Sequence, residues 1–235
     1  GEPLSYGGSS TAWFSASASG PVLYGTAGND SMWADSSTDV TMVGGTGDDI
    51  YYLYSGANRA SEAPGAGLDT IKTWMSYSLP ENFENLRVTG AGGVGSGNSA
   101  DNIISGGSGS QTIDGGPGND ILIGAGGADT FAFKRGNGGD LISDFGADDM
   151  VRLEGYGFTS FDHILGNVAQ EGGDLRLSLA DGECLVFAKT TADQLQASQS
   201  SLALDRSVLT QTFSDDFNTL QLNDGTSGVW DPKYW

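Results

Sequence analysis

The sequence predicts an all-β fold: a right-handed parallel β-roll closed by a C-terminal β cap. Three observations predict it. The nine-residue pattern G-G-x-G-x-D-x-U-x, with U a large apolar residue, recurs in six near-copies, and the copies 44–52 and 115–123 are complete. Residues 97–132 read as four nonapeptides in one frame (GNSADNIIS, GGSGSQTID, GGPGNDILI, GAGGADTFA), with Ile104, Ile113, Leu122 and Phe131 at U. The turn carboxylates also keep the spacing that stacked coils need. Successive turns lie on opposite edges of a roll, so stacking partners are two repeats apart. Asn102 to Asp120 and Gln111 to Asp129 are 18 residues, Asp30 to Asp49 is 19, and Asp49 to Asp69 and Asp120 to Asp140 are 20.

Each repeat has two parts. The x-U-x triplet is a short strand with U inward. The G-G-x-G-x-D part is a tight turn, where glycine meets the need for positive φ. Such a turn exposes carbonyl oxygens and adds a carboxylate. Calcium takes six to eight oxygens at about 2.3–2.6 Å, more than one turn offers and about what two stacked turns offer. Calcium is therefore the expected cofactor, and the nonapeptide period is that of calcium-binding β-rolls. Asn102 and Gln111 replace the Asp with neutral donors, so weaker or absent metal is expected there.

Composition agrees. Glycine supplies 38 of 235 residues, and only 37% are hydrophobic, which suits a thin slab of U side chains better than a thick core. The net charge is −20, from 30 acidic and 10 basic residues. That charge opposes compaction without cations, so metal binding should be coupled to folding. Ten dispersed Lys and Arg make nucleic acid a poor partner. No apolar run is long enough to span a bilayer, so membrane insertion is not expected. The single cysteine, Cys184, allows no disulfide within the chain.

Along the chain, residues 1–20 read as a linker or tail. The roll is expected over 21–145, with an imperfect first repeat at 25–33 and an interruption near 74–96, where the period breaks. Glu62 and Asp69 are candidate ligands at a G-x-G-x-D-x-U turn, and Asp140 and Asp144 flank one strand and could share a last calcium. Residues 146–204 thin in glycine and read as the C-terminal β cap. Asp174–Leu179 alternates like an ordinary strand, and a short helix over 191–198 is capped by Thr190 or Thr191. Residues 205–235 read as a linker to something further.

These turns resemble the RTX (repeats-in-toxin) proteins of bacteria. The stretch 69–106 (DTIKTWMSYSLPENFENLRVTGAGGVGSGNSADNIISG) is similar to RTX modules of alginate epimerases, and 133–204 to the end of serralysin-type rolls. The resemblance implies a secreted, extracellular protein, exported by a type I machine with an uncleaved C-terminal signal. It also implies ligands. One turn gives the carbonyls of its first and third residues and its Asp; the turn two repeats on gives its second and fourth carbonyls and its Asp. Gly25, Ala27 and Asp30 would thus pair with Gly45, Gly47 and Asp49. Gly115, Pro117 and Asp120 would pair with Gly136, Gly138 and Asp140. Gly106 and Ser108 would pair with Ala125, Gly127 and Asp129, and Gly97, Ser99 and Asn102 with Gly116, Gly118 and Asp120; Gln111 and Asn102 depart from the pattern in these two. Residues 209–235 (TFSDDF, closing Tyr-Trp) resemble the first strands of family 16 glycoside hydrolases, which cleave β-glucans and galactans. That family's E-x-D-x-x-E strand, with its paired carboxylates, does not occur here. On this resemblance a truncated catalytic domain begins where the chain ends.

No enzyme activity is expected of these residues themselves. His163 is the sole histidine and reads as a surface or capping residue, and Cys184 sits in an apolar strand and reads as core. The expected role is a calcium-binding accessory or scaffold to an extracellular glycan-active enzyme or matrix protein. The alternatives are a carbohydrate-binding module and a fragment of a glycoside hydrolase. Trp33 and Tyr52 are each the ninth residue of their repeat. They should meet on an outer face where polysaccharide rings can stack, unless the 1–20 segment or coil packing covers it.

Overall fold

The computed structural model describes residues 4–5, 13–16, 22–34, 39–158, 160–197 and 202–204. The apolar U residues set its architecture. Met32, Tyr51, Ile71, Leu86, Ile104, Leu122 and Ile142 stand in register on successive parallel strands of one long sheet. None of the seven is more than 1% exposed. Burying one such side chain contributes roughly 1.5–3 kcal/mol. Their neighbours along each strand point outward, so the interior is one slab.

The chain alternates between this 11-stranded sheet and an opposite wall made of two sheets. The first holds Leu4–Ser5, Val22–Tyr24, Thr41–Val43 and Arg59–Ser61; the second runs from Tyr77–Ser78 through Val94–Ser96, Thr112–Asp114, Thr130–Lys134 and Met150–Glu154 to Leu202–Leu204. All pairs within the wall are parallel. The irregular stretch 74–96 is where the wall breaks, between Ser61 and Tyr77. The long sheet does not break: Thr70–Thr73, Asn85–Val88 and Ile103–Ser105 pair across it. Phe83 fills the interior there, its ring edge-on to Tyr51 at 5.3 Å. The expected interruption is thus a change of wall and not of coil.

Residues 1–20 also differ from a plain tail. Leu4–Ser5 pairs with Leu23–Tyr24 and Trp13–Ala16 with Ser31–Ala34, extending both walls by a strand. At the other end the wall strand Met150–Glu154 still pairs in parallel with Thr130–Lys134. In the long sheet Cys184–Phe187 pairs in parallel with Gly139–Ile142, and then the direction reverses: Asp174–Ser178 and Val168–Glu171 add antiparallel. This meander closes the long sheet over buried Leu175, Leu177, Leu185 and Phe187. The helix Ala192–Ala197 is capped by Thr191, whose Oγ1 accepts from Gln194 N while Gln194 Oε1 accepts from Thr191 N at 2.7 Å. Among the described residues no helix is long and apolar enough to cross a membrane.

Candidate metal sites

Among the described residues, seven turns carry the chain from the wall into the long sheet at one edge: 25–30, 44–49, 62–69, 79–84, 97–102, 115–120 and 135–140. Their last residues form a ladder. The backbone N–H of Asp30 donates to Asp49 Oδ1 at 2.7 Å, Asp49 to Asp69 Oδ1 at 2.8 Å, and Asp69 to Glu84 Oε2 at 2.8 Å. Beyond the wall break, Asn102 N donates to Asp120 Oδ1 at 2.7 Å and Asp120 N to Asp140 Oδ1 at 2.9 Å. One oxygen of each carboxylate is thereby used. The other oxygen of Asp49, Asp69, Asp120 and Asp140 is buried with no hydrogen-bond partner, and no described Lys or Arg pairs with them.

Such burial penalises charge. It pushes Asp49 and Glu62 up to about 7, Asp69 and Asp120 to about 6 and Asp140 to about 8, with neighbouring carboxylates adding to the shift. Asp129 is raised for the same reason. Unpartnered buried carboxylate oxygens are costly, and a hard divalent cation is the partner that fits an all-oxygen set. Glycine keeps the space open. A Cβ on Gly44 would fall on Asp49 Oδ2, Tyr51 Oη and Glu62 Oε1, and one on Gly115 would fall on Asp120 Oδ2.

Among the described residues, the densest cluster joins two of these turns. One oxygen from each of Asp49, Glu62 and Asp69 lies within 4.8 Å of the others. Glu62 Oε1 accepts from Gly44 N at 3.0 Å and from the Tyr51 hydroxyl, which itself accepts from Gly44 N at 2.6 Å. Tyr51 is a U residue whose ring fills the core while its hydroxyl reaches the turn.

The expected turn pairs come together. Gly45 and Gly47 stack on Thr26 and Gly28, beside Gly25, Ala27 and Asp30. Gly116 and Gly118 stack on Asn98 and Ala100, and Gly127 on Gly109. Gly118 bridges Gly138, next to Pro117 and Asp120. A Cβ on Gly136 would meet nothing within 4 Å, and its N–H donates to Glu183 Oε1 at 2.8 Å.

Asn102 and Gln111 resolve their own turns. Asn102 Oδ1 accepts from Asn98 N at 2.8 Å, and its Nδ2 donates to Phe83 O at 3.1 Å. Gln111 Oε1 accepts from Gly107 N at 2.8 Å, and its Nε2 donates to Gly90 O at 3.2 Å. Each carboxamide supplies the positive partner for a carbonyl of the preceding coil, so it stands where a cation would.

The opposite edge has a shorter ladder. Gln111 N donates to Asp129 Oδ1 at 2.7 Å, and Asp129 N to Asp149 Oδ1 at 2.9 Å. Asp144 belongs here and not with Asp140: its oxygens accept from Gly124 N at 2.9 Å and Ala125 N at 2.8 Å. A shared Asp140–Asp144 site is therefore corrected. The two residues bracket one strand and so face opposite edges. Gly106, Ser108, Ala125, Gly127 and Asp129 do lie on this second edge, as paired. The period missed Glu84, Asp149 and Tyr51. Asp149 had a signal, lying 20 residues after Asp129.

Four copies of the RTX calcium-binding nonapeptide repeat match this chain, over residues 24–60 and 96–131. The chain carries RTX calcium-binding repeats. Over all 235 residues it is 86% identical to endo-1,3-1,4-beta-glycanase EglC of Rhizobium meliloti (strain 1021) and 75% identical to endo-1,3-1,4-beta-glycanase ExsH of the same organism. It spans 50% of each, about half the length of these relatives. The extracellular lipase LipA from Serratia marcescens is similar at 17% identity and a TM-score of 0.47, over 82% of this chain and 42% of that one. The RTX repeats bind calcium, and the ladder's unpartnered oxygens lie within and beside the matched stretches.

Of the remaining expected residues, Trp33 and Tyr52 are register partners on the outer face of the long sheet. His163 is exposed in the helix Phe161–Leu165, its ring edge-on to Phe158 at 5.2 Å. Cys184 is half-buried beside Leu185 and is not core. Residues 205–235, with the glycoside-hydrolase resemblance, lie outside the described residues.

Proposed function

We propose that this chain is the calcium-folded, non-catalytic half of a secreted glycan-degrading protein, serving its catalytic part as an accessory scaffold. The observation that carries this is the run of stacked carboxylates with unpartnered buried oxygens. They are committed to closing turns, and none is arranged as a free acid–base pair. The individual ligands follow from the stacking. Asp30 and Asp49 serve the first pair of turns, and Asp49, Glu62 and Asp69 the second. Asp120 and Asp140 serve a third, and Asp129 and Asp149 the other edge. Glycanase relatives twice this length, matched over all of this chain, support a parent with a separate catalytic half, linked through residues 205–235.

The ladder also supports the place of folding. With its carboxylates unscreened the coil is opposed by its own charge, and calcium is about millimolar outside cells, the range of weak extracellular modules. The chain would cross a type I exporter unfolded and close outside. Excess chelator should remove most of the β signal in circular dichroism, and added calcium should restore it. An unchanged spectrum in chelator would sink the reading. Incubation with mixed-linkage β-glucan should release no reducing ends; their release would make the chain an enzyme.

A further inference from the structure

The outer face of the long sheet carries a ladder that the turns do not explain. Register places Trp33, Tyr52, Lys72 and Arg87 side by side on four consecutive strands. Adjacent strands are about 4.8 Å apart, so the row runs for about 14 Å. Tyr52 is flanked along its own strand by Tyr54, the rings stacked at 6.4 Å and 17°. Lys72 Nζ lies 5.5 Å from the centroid of the Tyr52 ring. Trp74 follows directly after Thr73, the register partner of Leu53. Trp33, Tyr54 and Trp74 are 39%, 43% and 59% exposed. The inward residues of these strands already fill the core, so packing does not require large aromatics outside.

Charge distinguishes this row from an ordinary apolar patch. Arg59, Lys134, Arg135, Arg152 and Arg176 each have a carboxylate partner. Among the described residues, the ion pairs leave out Lys72, Arg87 and Lys189. On a molecule of net charge −20, two neighbouring cations without carboxylates stand beside four aromatic rings. Flat rings stack on the apolar faces of sugars, and the cations select acidic groups.

We propose that this ladder docks an anionic β-linked polysaccharide, its sugar rings on Trp33, Tyr52, Tyr54 and Trp74 and its acidic substituents at Lys72 and Arg87. The proposal rests on the accessory reading above and names that region's ligand class and the residues that hold it. The roll presents the row on a rigid surface, so the polymer pays little ordering entropy on the protein's side.

The test uses the calcium-loaded chain in native gels cast with carboxymethylated β-glucan, with uncharged mixed-linkage β-1,3-1,4-glucan, or with none. The parent chain should be retarded by the carboxymethylated polymer despite its own negative charge, and less so as salt rises. Trp33→Ala should weaken binding about tenfold, the scale of one stacked aromatic. The double variant Lys72→Gln/Arg87→Gln should lose the salt-dependent retention, while Arg176→Gln, at an ion-paired arginine, should match the parent. Equal migration of the parent with and without polymer, or equal retention of parent and variants, overturns the proposal. Retention by both glucans alike, unmoved by the double variant, overturns its anionic part. Calcium titrations by circular dichroism separate the two readings. A parent chain that folds with calcium and is not retained sinks this inference alone, whereas one indifferent to calcium sinks the accessory scaffold.

Discussion

The two edges of the roll are built differently although one chain winds through both. The edge entering the long sheet ends its turns in Asp30, Asp49, Asp69, Glu84, Asn102, Asp120 and Asp140, along the whole length. Among the described residues, the opposite edge carries such a ladder only from Gln111 onward. Two of its earlier turns close on themselves: Asn58 N donates to Ser55 O at 3.2 Å and Gly93 N to Gly90 O at 3.0 Å. Carboxylates repeating at about the strand spacing repel one another, so the first edge needs counter-ions to stay shut. The first half of the second edge does not. Cation dependence is therefore a property of particular turns and not of the β-roll as such.

The largest contrast should come from glycine. Gly44→Ala forces a Cβ onto three oxygens of the densest cluster, whereas a Cβ on Gly56, on the other edge, meets nothing within 4 Å. In urea denaturation at saturating calcium, Gly44→Ala should cost about 4 kcal/mol or more and Gly56→Ala less than about 0.5. Similar costs would break the comparison. Next come the carboxylates. Asp49→Asn should release at least one calcium in native mass spectrometry and cost about 2.7 kcal/mol when free calcium is a hundredfold above Kd. Asp39→Asn loses only an exposed pair with Arg59 at 2.7 Å, worth at most about 1 kcal/mol, and should keep every ion.

A smaller effect is a gain. Asn102→Asp should restore a repeat's carboxylate and raise the calcium count by one per chain; an unchanged count would mean that the carboxamide is not what keeps metal out. The smallest effect is on pH. In chelator, Asp49, Glu62, Asp69, Asp120 and Asp140 have pKa values raised to between about 6 and about 8 in the folded chain. A raised value means that the fold binds protons more readily than the unfolded chain. This contribution is complete below about pH 4 and is lost as pH rises through about 6 to about 8. Without calcium, β signal should therefore increase on acidification from pH 8 to pH 5. With calcium present, protons compete and affinity should fall over the same interval. A chelated chain indifferent to pH would remove protonation as a substitute for metal.

The U positions and the turns at Asp30, Asp49, Asp69, Asp120, Asp129 and Asp140 were legible because period and spacing encode them directly. Glu84 was not: it follows Asp69 by 15 residues, and its longer side chain spans the difference. Asp149 kept the spacing but its turn has a single glycine, so the repeat template slid past it. The hydroxyl of Tyr51 was hidden by its role as a core residue, since its polar partners, Gly44 N and the Glu62 carboxylate, reach it only through the folding of the turns. Asp144 was misplaced because strand direction, not sequence distance, decides which edge a residue faces. The strands at 4–5 and 13–16 are too short to announce themselves, and only pairing with existing coils defines them.

The Asn102 and Gln111 side chains leave the molecule with a clasp that owes nothing to the medium. Coils around residues 97–111 latch through amide hydrogens carried in the polypeptide itself. When divalent ions become scarce, unwinding should start in the flanks and halt at this middle segment, and their return should let both arms rewind onto a seed already in place. Ordered length, more than a single on–off transition, would then be the quantity that tracks the surrounding ion level.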